Sequence, residues 1–569
     1  MFTSLPNDAK GILDWPWDRI EPYYKNLEQR ALSEAGLEHW LANWSRIAEL
    51  VDEISNRLYV ATTVDTADQK AEDLYHRFLA DIFPKYEEHQ QRLKQKLVTS
   101  GLAPQGFEVP LRKMRQEADL FRTANLPLLV GEKKLSEQYD KIAGAQAVQW
   151  RGREQTLAQM ETVQLSSDRA EREKAWRLAS ERQLADRAEI DGLWKKMLGL
   201  RIELAKNADF NDYRSFRWKQ LGRFDYTPED CDSFHRAIEQ VAVPAASRIY
   251  RRRAERLGLK APRPWDLQVD VLGRPALQPF AEVSELVARA AAMFDKVDPV
   301  LGGHFHLMAG QGLLDLENRK DKAPGGYCTN FAAARVPFVF ANAVGMHGDV
   351  QTLLHEGGHA FHLFESRHLP YLQQLEVPME FAEVASMAME LLAAPYLDSP
   401  GGFYSPGDSK RARLEHLEGQ IAFWPYMAVV DAFQHWAYLN PDKAMEPANC
   451  DSQWSGLWRR FMPGVDWTGL EEAVATGWQR KQHIFSDPFY YVEYGLAQLG
   501  AVQVWGRALE DQSRAVAGYR KALALGGTAP LPELYRTAGA AFAFDAGPLQ
   551  AAVGLLERTI EELDSEKQI

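Results

Sequence analysis

The chain has 569 residues, of which 46% are hydrophobic and 25% charged, and it carries a net charge of -13. Such a composition suits a globular protein with a large core, and the negative balance argues against a general nucleic-acid-binding role. Cys231, Cys328 and Cys450 are widely spaced with no C-x-x-C pair, so no disulfide framework is expected and a reducing, cytoplasmic setting fits. The first residues lack a basic start followed by an apolar core, and no stretch is apolar for long enough to span a bilayer, so neither a signal peptide nor a membrane partner is expected.

From Asp14 to about Leu102, apolar residues recur at three- and four-residue spacing, as in LEHWLANWSRIAELVDEISNRLY, which predicts long antiparallel helices. Gly101, Pro104 and Gly106 mark a loop, and further helices follow from about Glu117 to Lys206. Residues 211–226, NDYRSFRWKQLGRFDY, combine aromatic and basic side chains. No RNA-binding motif accompanies them, so helix packing explains them better than base stacking. Thr227, Pro228 and Asp230 form a strong helix start, with a capping hydroxyl, proline in the first turn and an acid three residues after the cap.

Between Gly302 and Asn342 the character changes. HFHLMAGQGLLDLENR, GGYCTNF and VPFVFAN are short, aromatic or β-branched, and punctuated by glycine, which predicts a small twisted sheet. An edge of such a sheet can hold an extended peptide through main-chain hydrogen bonds.

Residues 349–390 read as two helices carrying a metal site. His355, Glu356 and His359 stand in the pattern H-E-x-x-H. Positions four apart on a helix lie only ~40° apart around the axis, so both imidazoles project from one face and can share one ion, for which zinc is expected. Glu356 is one step round, placed as a general base for a water at the ion. Asp349 can cap this helix. Gly357 and Gly358 each cost a helix roughly 1 kcal/mol relative to alanine, so another element is expected to approach that backbone closely. A metzincin continuation needs Gly at 362 and His at 365, where the chain has His362 and Glu365. The third ligand is therefore sought on the second helix, which offers Glu380, Glu383 and Glu390. Glu383 lies in the otherwise apolar Phe-Ala-Glu-Val-Ala-Ser, where an unpaired carboxylate is costly, and is chosen as the ligand. Glu390, seven residues on and on the same face, becomes a partner for a ligand histidine. Glu380 reads better as a solvated helix-end charge, and His362 as a core or surface histidine.

HEGGHAFH followed by EFAEVASMAMELL resembles the zinc site of the oligoendopeptidase F and thimet oligopeptidase family of metallopeptidases. The likeness extends to DLENRKDKAPGGYC and VPFVFAN upstream, and to HIFSDPFYYVEYGLAQLGA and LALGGTAPLPELYRTAG downstream. The resemblance implies one zinc ion held by His355, His359 and Glu383, with Glu356 as base. It also implies substrate-carbonyl contacts from His483, Tyr491 and Tyr494, while a one-residue gap leaves Tyr490 as an alternative functional tyrosine. The implied fold is mainly α: a large helical, two-lobed body enclosing a deep channel, with a small β-sheet beside the zinc-binding helix. Residues 1–165 are expected to form an N-terminal helical lobe and 166–569 the catalytic region, within one continuous body.

These features predict a cytoplasmic zinc metalloendopeptidase that hydrolyses internal bonds of short, unfolded oligopeptides through a Glu-activated, zinc-bound water. Two alternatives remain. A zinc carboxypeptidase needs a cationic residue to capture the free carboxylate, and sequence alone does not place Arg319 or Arg335 in that role. A non-catalytic zinc-containing peptide-binding protein has no use for Glu356 and usually closes its metal with four protein ligands.

Overall fold

The 31-residue helix Glu34–Val64 illustrates how this chain folds: it buries one stripe that includes Leu37, Trp40, Leu41, Trp44, Ile47, Val51, Ile54 and Leu58, the pattern expected of an amphipathic helix on a core. Tyr24, Leu93, Leu97, Phe107 and Leu111 complete the apolar cluster around it. The structure is a computed structural model and describes residues 1–319, 321–323, 325–398 and 400–565, with backbone only at 137 and 158. Lys320 and Pro324, within the Asp315–Cys328 block, lie outside the described residues. Helices dominate throughout, and among the described residues none is long and apolar enough to cross a membrane.

The chain forms two compact units, each assembled from three separated segments. The first comprises residues 1–120, 278–409 and 500–542, and the second 121–277, 410–499 and 543–569. A short antiparallel hairpin, β1 (Ala147–Trp150) and β2 (Arg153–Thr156), belongs to the second unit. A three-stranded sheet of β3 (Leu314–Glu317), β4 (Tyr327–Phe331) and β5 (Val336–Ala343) belongs to the first.

That sheet has the order β3-β5-β4, with β3 parallel and β4 antiparallel to β5. The central β5 buries Phe338, Val339, Phe340 and Ala341 in succession. Burial on both faces explains its continuous apolar run. The predicted sheet begins later than Gly302: Pro299–Gly310 is a helix, started by Asp298, whose side chain accepts from the amides of Val300 and Leu301. Leu301, Phe305 and Met308 are its buried side, and this apolar spacing overrides the glycines that suggested strands. After β5, a turn through Gly345 at φ +91 leads into helix His347–Ser366, which packs on β5.

In the second unit, Thr227 and Asp230 form the reciprocal cap expected at the start of helix Pro228–Arg256. Tyr213, Phe216, Trp218 and Tyr226 are buried in packing, as the helical explanation of that aromatic stretch requires.

Candidate active site

Helix His347–Ser366 carries the H-E-x-x-H motif. Its start corrects one expectation: Asp349 is not the residue before the helix but stands in the first turn. There its Oδ2 accepts from the amides of Val344 and Met346, both at 2.8 Å. The glycine pair has the predicted role. A Cβ on Gly358 would lie 2.4 Å from the Ala385 carbonyl oxygen and 2.6 Å from Ser386 Cα, while one on Gly357 would meet the Phe294 ring at 2.7 Å. The helix Met379–Ala393 therefore approaches the motif backbone directly, which brings a carboxylate to the two histidines.

The rings of His355 and His359 are 5.0 Å apart. Glu383 Oε2 lies 3.4 Å from His355 Nε2 and 3.6 Å from His359 Nε2, and one donor atom from each residue falls within a 4.8 Å cluster. Tetrahedral zinc with bonds of about 2.0 to 2.1 Å separates its ligand atoms by roughly 3.3 to 3.4 Å, so this donor set suits such an ion in spacing and chemistry. Glu390 Oε1 is 2.7 Å from His355 Nδ1, which places a proton on Nδ1 and turns Nε2 toward Glu383. Ser386 Oγ stands 2.9 Å from Glu383 Oε2 and fixes that carboxylate. Burial pulls His355 downward, but hydrogen bonds to Glu383 and Glu390 outweigh it and hold the imidazole well above its usual value. Burial takes His359 down to about 4.

Glu356 is 7% exposed, and its buried Oε2 has no hydrogen-bond partner among the described residues. Burial pushes its carboxyl up to about 7, with His355 opposing and Glu383 and Glu390 reinforcing the rise. Cys328, on β4, has its thiol pushed up by burial and by Glu356, and behaves as a small packed residue. His362 is a core histidine: it is buried, meets Phe381 edge to face, and burial takes it down to about 3. Glu380 departs from the solvated charge expected of it, being 3% exposed.

His483, Tyr491 and Tyr494 lie in the second unit. His483 is on the short helix Gln482–Ser486, and both tyrosines are on Tyr491–Glu510. Their rings form one cluster, with centroids 5.3 Å (His483–Tyr491), 5.8 Å (His483–Tyr494) and 5.6 Å (Tyr491–Tyr494) apart. Tyr490 joins it at 5.6 Å from His483 and 5.1 Å from Tyr494. Burial, with Tyr426 and Tyr494 nearby, pushes the Tyr491 phenol upward, so it stays protonated and able to donate.

Sequence reasoning missed what holds this cluster. Phe489 adopts φ +67, an uncommon conformation for a bulky residue. Its amide donates to Gln434 Oε1 at 2.7 Å, and its ring packs between His435 and Tyr438. Arg223 pairs with buried Glu493 at 2.7 Å within the tyrosine helix. Lys481, two residues before His483, places its Nζ 4.2 Å from the Tyr491 ring centre. A single cation beside an aromatic block was its only sequence signal. Cys231, Asp431 and His435 form a second group of ligand-type atoms. There Asp431 already accepts from His235 at 2.9 Å and lies 3.3 Å from His435, while Arg214 reaches His435 Nδ1 at 3.4 Å, so a buried hydrogen-bond network accounts for it.

The family model of peptidase family M3 matches residues 162–554. Among curated proteins none matches. Of solved structures, that of Pz peptidase A with inhibitor 2 is 26% identical over 100% of both chains, with a TM-score of 0.91. A protein assigned as oligoendopeptidase F is 27% identical over 96% of this chain and 97% of its own, with a TM-score of 0.89. Another so assigned, from Bacillus anthracis str. Ames, is 23% identical over 96% of each chain at a TM-score of 0.86, a likeness of fold alone.

Proposed function

Because the chain belongs to peptidase family M3, and is thus a metallopeptidase, we propose that it is a zinc endopeptidase acting on internal bonds of short, unfolded peptides in the cytoplasm. The observation that carries this reading is the convergence of ligand atoms of His355, His359 and Glu383 within 4.8 Å, beside the buried Glu356, whose Oε2 has no hydrogen-bond partner among the described residues. One zinc ion, when bound, supplies a Lewis acid that lowers the pKa of a water to about 7 and polarises a carbonyl.

Glu356 is the general base. A carboxyl raised to about 7 takes a proton from the attacking water near neutral pH and returns it to the leaving amine. Glu390 orients His355 through Nδ1 and so keeps Nε2 available as a ligand. Tyr491, Tyr494 and His483 donate to the carbonyl oxygen as its negative charge develops. An edge of the β3-β5-β4 sheet holds the extended substrate through its main chain, which requires no particular side chain.

Mass spectrometry of a mixed peptide pool tests the reading. Internal bonds should be cut, a chelator should stop the cutting, and added zinc should restore it. Cleavage that ignores the chelator would remove the metal from the reaction, and release of terminal residues alone would remove the endopeptidase assignment.

A further inference from the structure

Lys481 is a part-buried cation. Among the described residues it makes no ion pair, and its Nζ donates no hydrogen bond. Its ammonium lies over two aromatic faces, 4.2 Å from the centre of Tyr491 and 5.6 Å from that of Tyr426. Burial alone acts on it and pulls its pKa down to about 8, without an opposing anion. Other buried cations of the same unit are compensated: Arg201 bonds Glu132 at 2.7 Å, Arg223 bonds Glu493 at 2.7 Å, and the adjacent Arg480 donates to the Ala473 carbonyl at 2.6 Å.

Withdrawing a charge from water without a partner is costly. The aromatic faces recover part of that cost through the attraction of a cation to a ring, and they exclude water from one side of the ammonium. Neither face supplies a negative charge, so the position is complete only when an anion arrives. Two other cations, Arg319 and Arg335, are already engaged. Arg319 holds both oxygens of Asp315 at 2.6 and 2.7 Å, and Arg335 holds Glu49 at 2.6 Å together with the carbonyls of Arg367 and Leu369.

We propose that Lys481 is a specificity-determining residue whose ammonium binds a carboxylate of the peptide substrate against the Tyr491 face. This rests on the peptidase reading above, under which the anions a substrate brings are its C-terminal carboxylate and its Asp or Glu side chains.

The test uses one cleavable sequence in three forms: a free acid, a C-terminal amide, and an amide with glutamate near its end. Each is cleaved by the wild type, Lys481→Met and Lys481→Arg, with zinc content and circular dichroism checked for every protein. The wild type should show a KM about tenfold lower for a carboxylate form than for the plain amide, the scale of one charged hydrogen bond. The ratio should collapse toward one in Lys481→Met, through KM and not kcat, and recover in Lys481→Arg. A preference for the free acid identifies the C-terminus, and one for the glutamate amide identifies a side chain. A wild-type ratio near one, or a ratio that survives in Lys481→Met, overturns the assignment of Lys481 while peptide cleavage continues. Failure of the wild type to cut any form overturns the peptidase reading, and this inference with it.

Discussion

Glu356 and Glu383 are both buried glutamates next to the same histidines, yet their surroundings differ. Glu383 has its oxygen within 3.6 Å of both imidazoles and a hydroxyl holding it in place, whereas Glu356 keeps an oxygen with no partner. Glu356→Gln should therefore retain nearly full zinc while losing about 100- to 10,000-fold in turnover, the span of a general base. His359→Ala and Glu383→Ala should lose metal affinity as well. Metal analysis of the purified variants beside kcat separates the two roles, and normal zinc and activity in Glu383→Ala would show that another carboxylate serves. Tyr491 and Tyr494 share one ring cluster with His483. Phe at either tyrosine should lower kcat about 100- to 1000-fold with a smaller change in KM, if that phenol donates to the developing oxyanion. Unchanged kcat in both single variants and in the double variant would end that assignment and turn attention to Tyr490.

Between elements, the decisive contact is that of helix Met379–Ala393 on helix His347–Ser366. Alanine usually stabilises an exposed helix position relative to glycine by about 1 kcal/mol. At Gly358 the sign should reverse, because the added Cβ would sit 2.4 Å from the Ala385 carbonyl and 2.6 Å from Ser386 Cα, backbone atoms that cannot swing aside. Overpacking of this kind costs roughly 1 to 3 kcal/mol. Gly358→Ala should thus lower the denaturation midpoint, and it should also weaken zinc binding by pushing Glu383 away from the histidines. A midpoint equal to or above that of the wild type would mean that the two helices have room to separate. The same scale explains a stretch that the sequence misplaced. Gly302–Gly310 is short and apolar, so periodicity alone does not tell strand from helix, and the Asp298 cap with Leu301, Phe305 and Met308 on one side decided for helix.

For the whole molecule, each unit gathers three distant segments, and the candidate metal ligands and the tyrosine cluster belong to different units. The family resemblance implies a deep channel around the zinc, and such a channel would admit an extended chain but not a folded domain some ~30 Å across. A long unfolded chain would also lose entropy in threading its ends. One cleavable sequence should accordingly be cut fastest as a free short peptide, more slowly inside a long unfolded protein, and least in an exposed loop of a folded one. Equal rates in all three settings would require an open cleft.

Much of the candidate site was legible in the chain because its chemistry is local. H-E-x-x-H presents His355 and His359 on one helix face by periodicity alone, a lone carboxylate in an apolar run marks Glu383, and paired glycines announce a close neighbour. Helical periodicity likewise made the predominantly α fold readable. Tertiary structure decided the rest, since burial and partnership depend on elements far apart in sequence. Glu380 is buried where a solvated charge was expected, Glu356 is a carboxyl with an unanswered oxygen, and Lys481 is a cation facing rings instead of an anion. None of these can be seen in a chain read one segment at a time, because the energy of a charge is set by whatever the fold brings to it and by how much water it excludes.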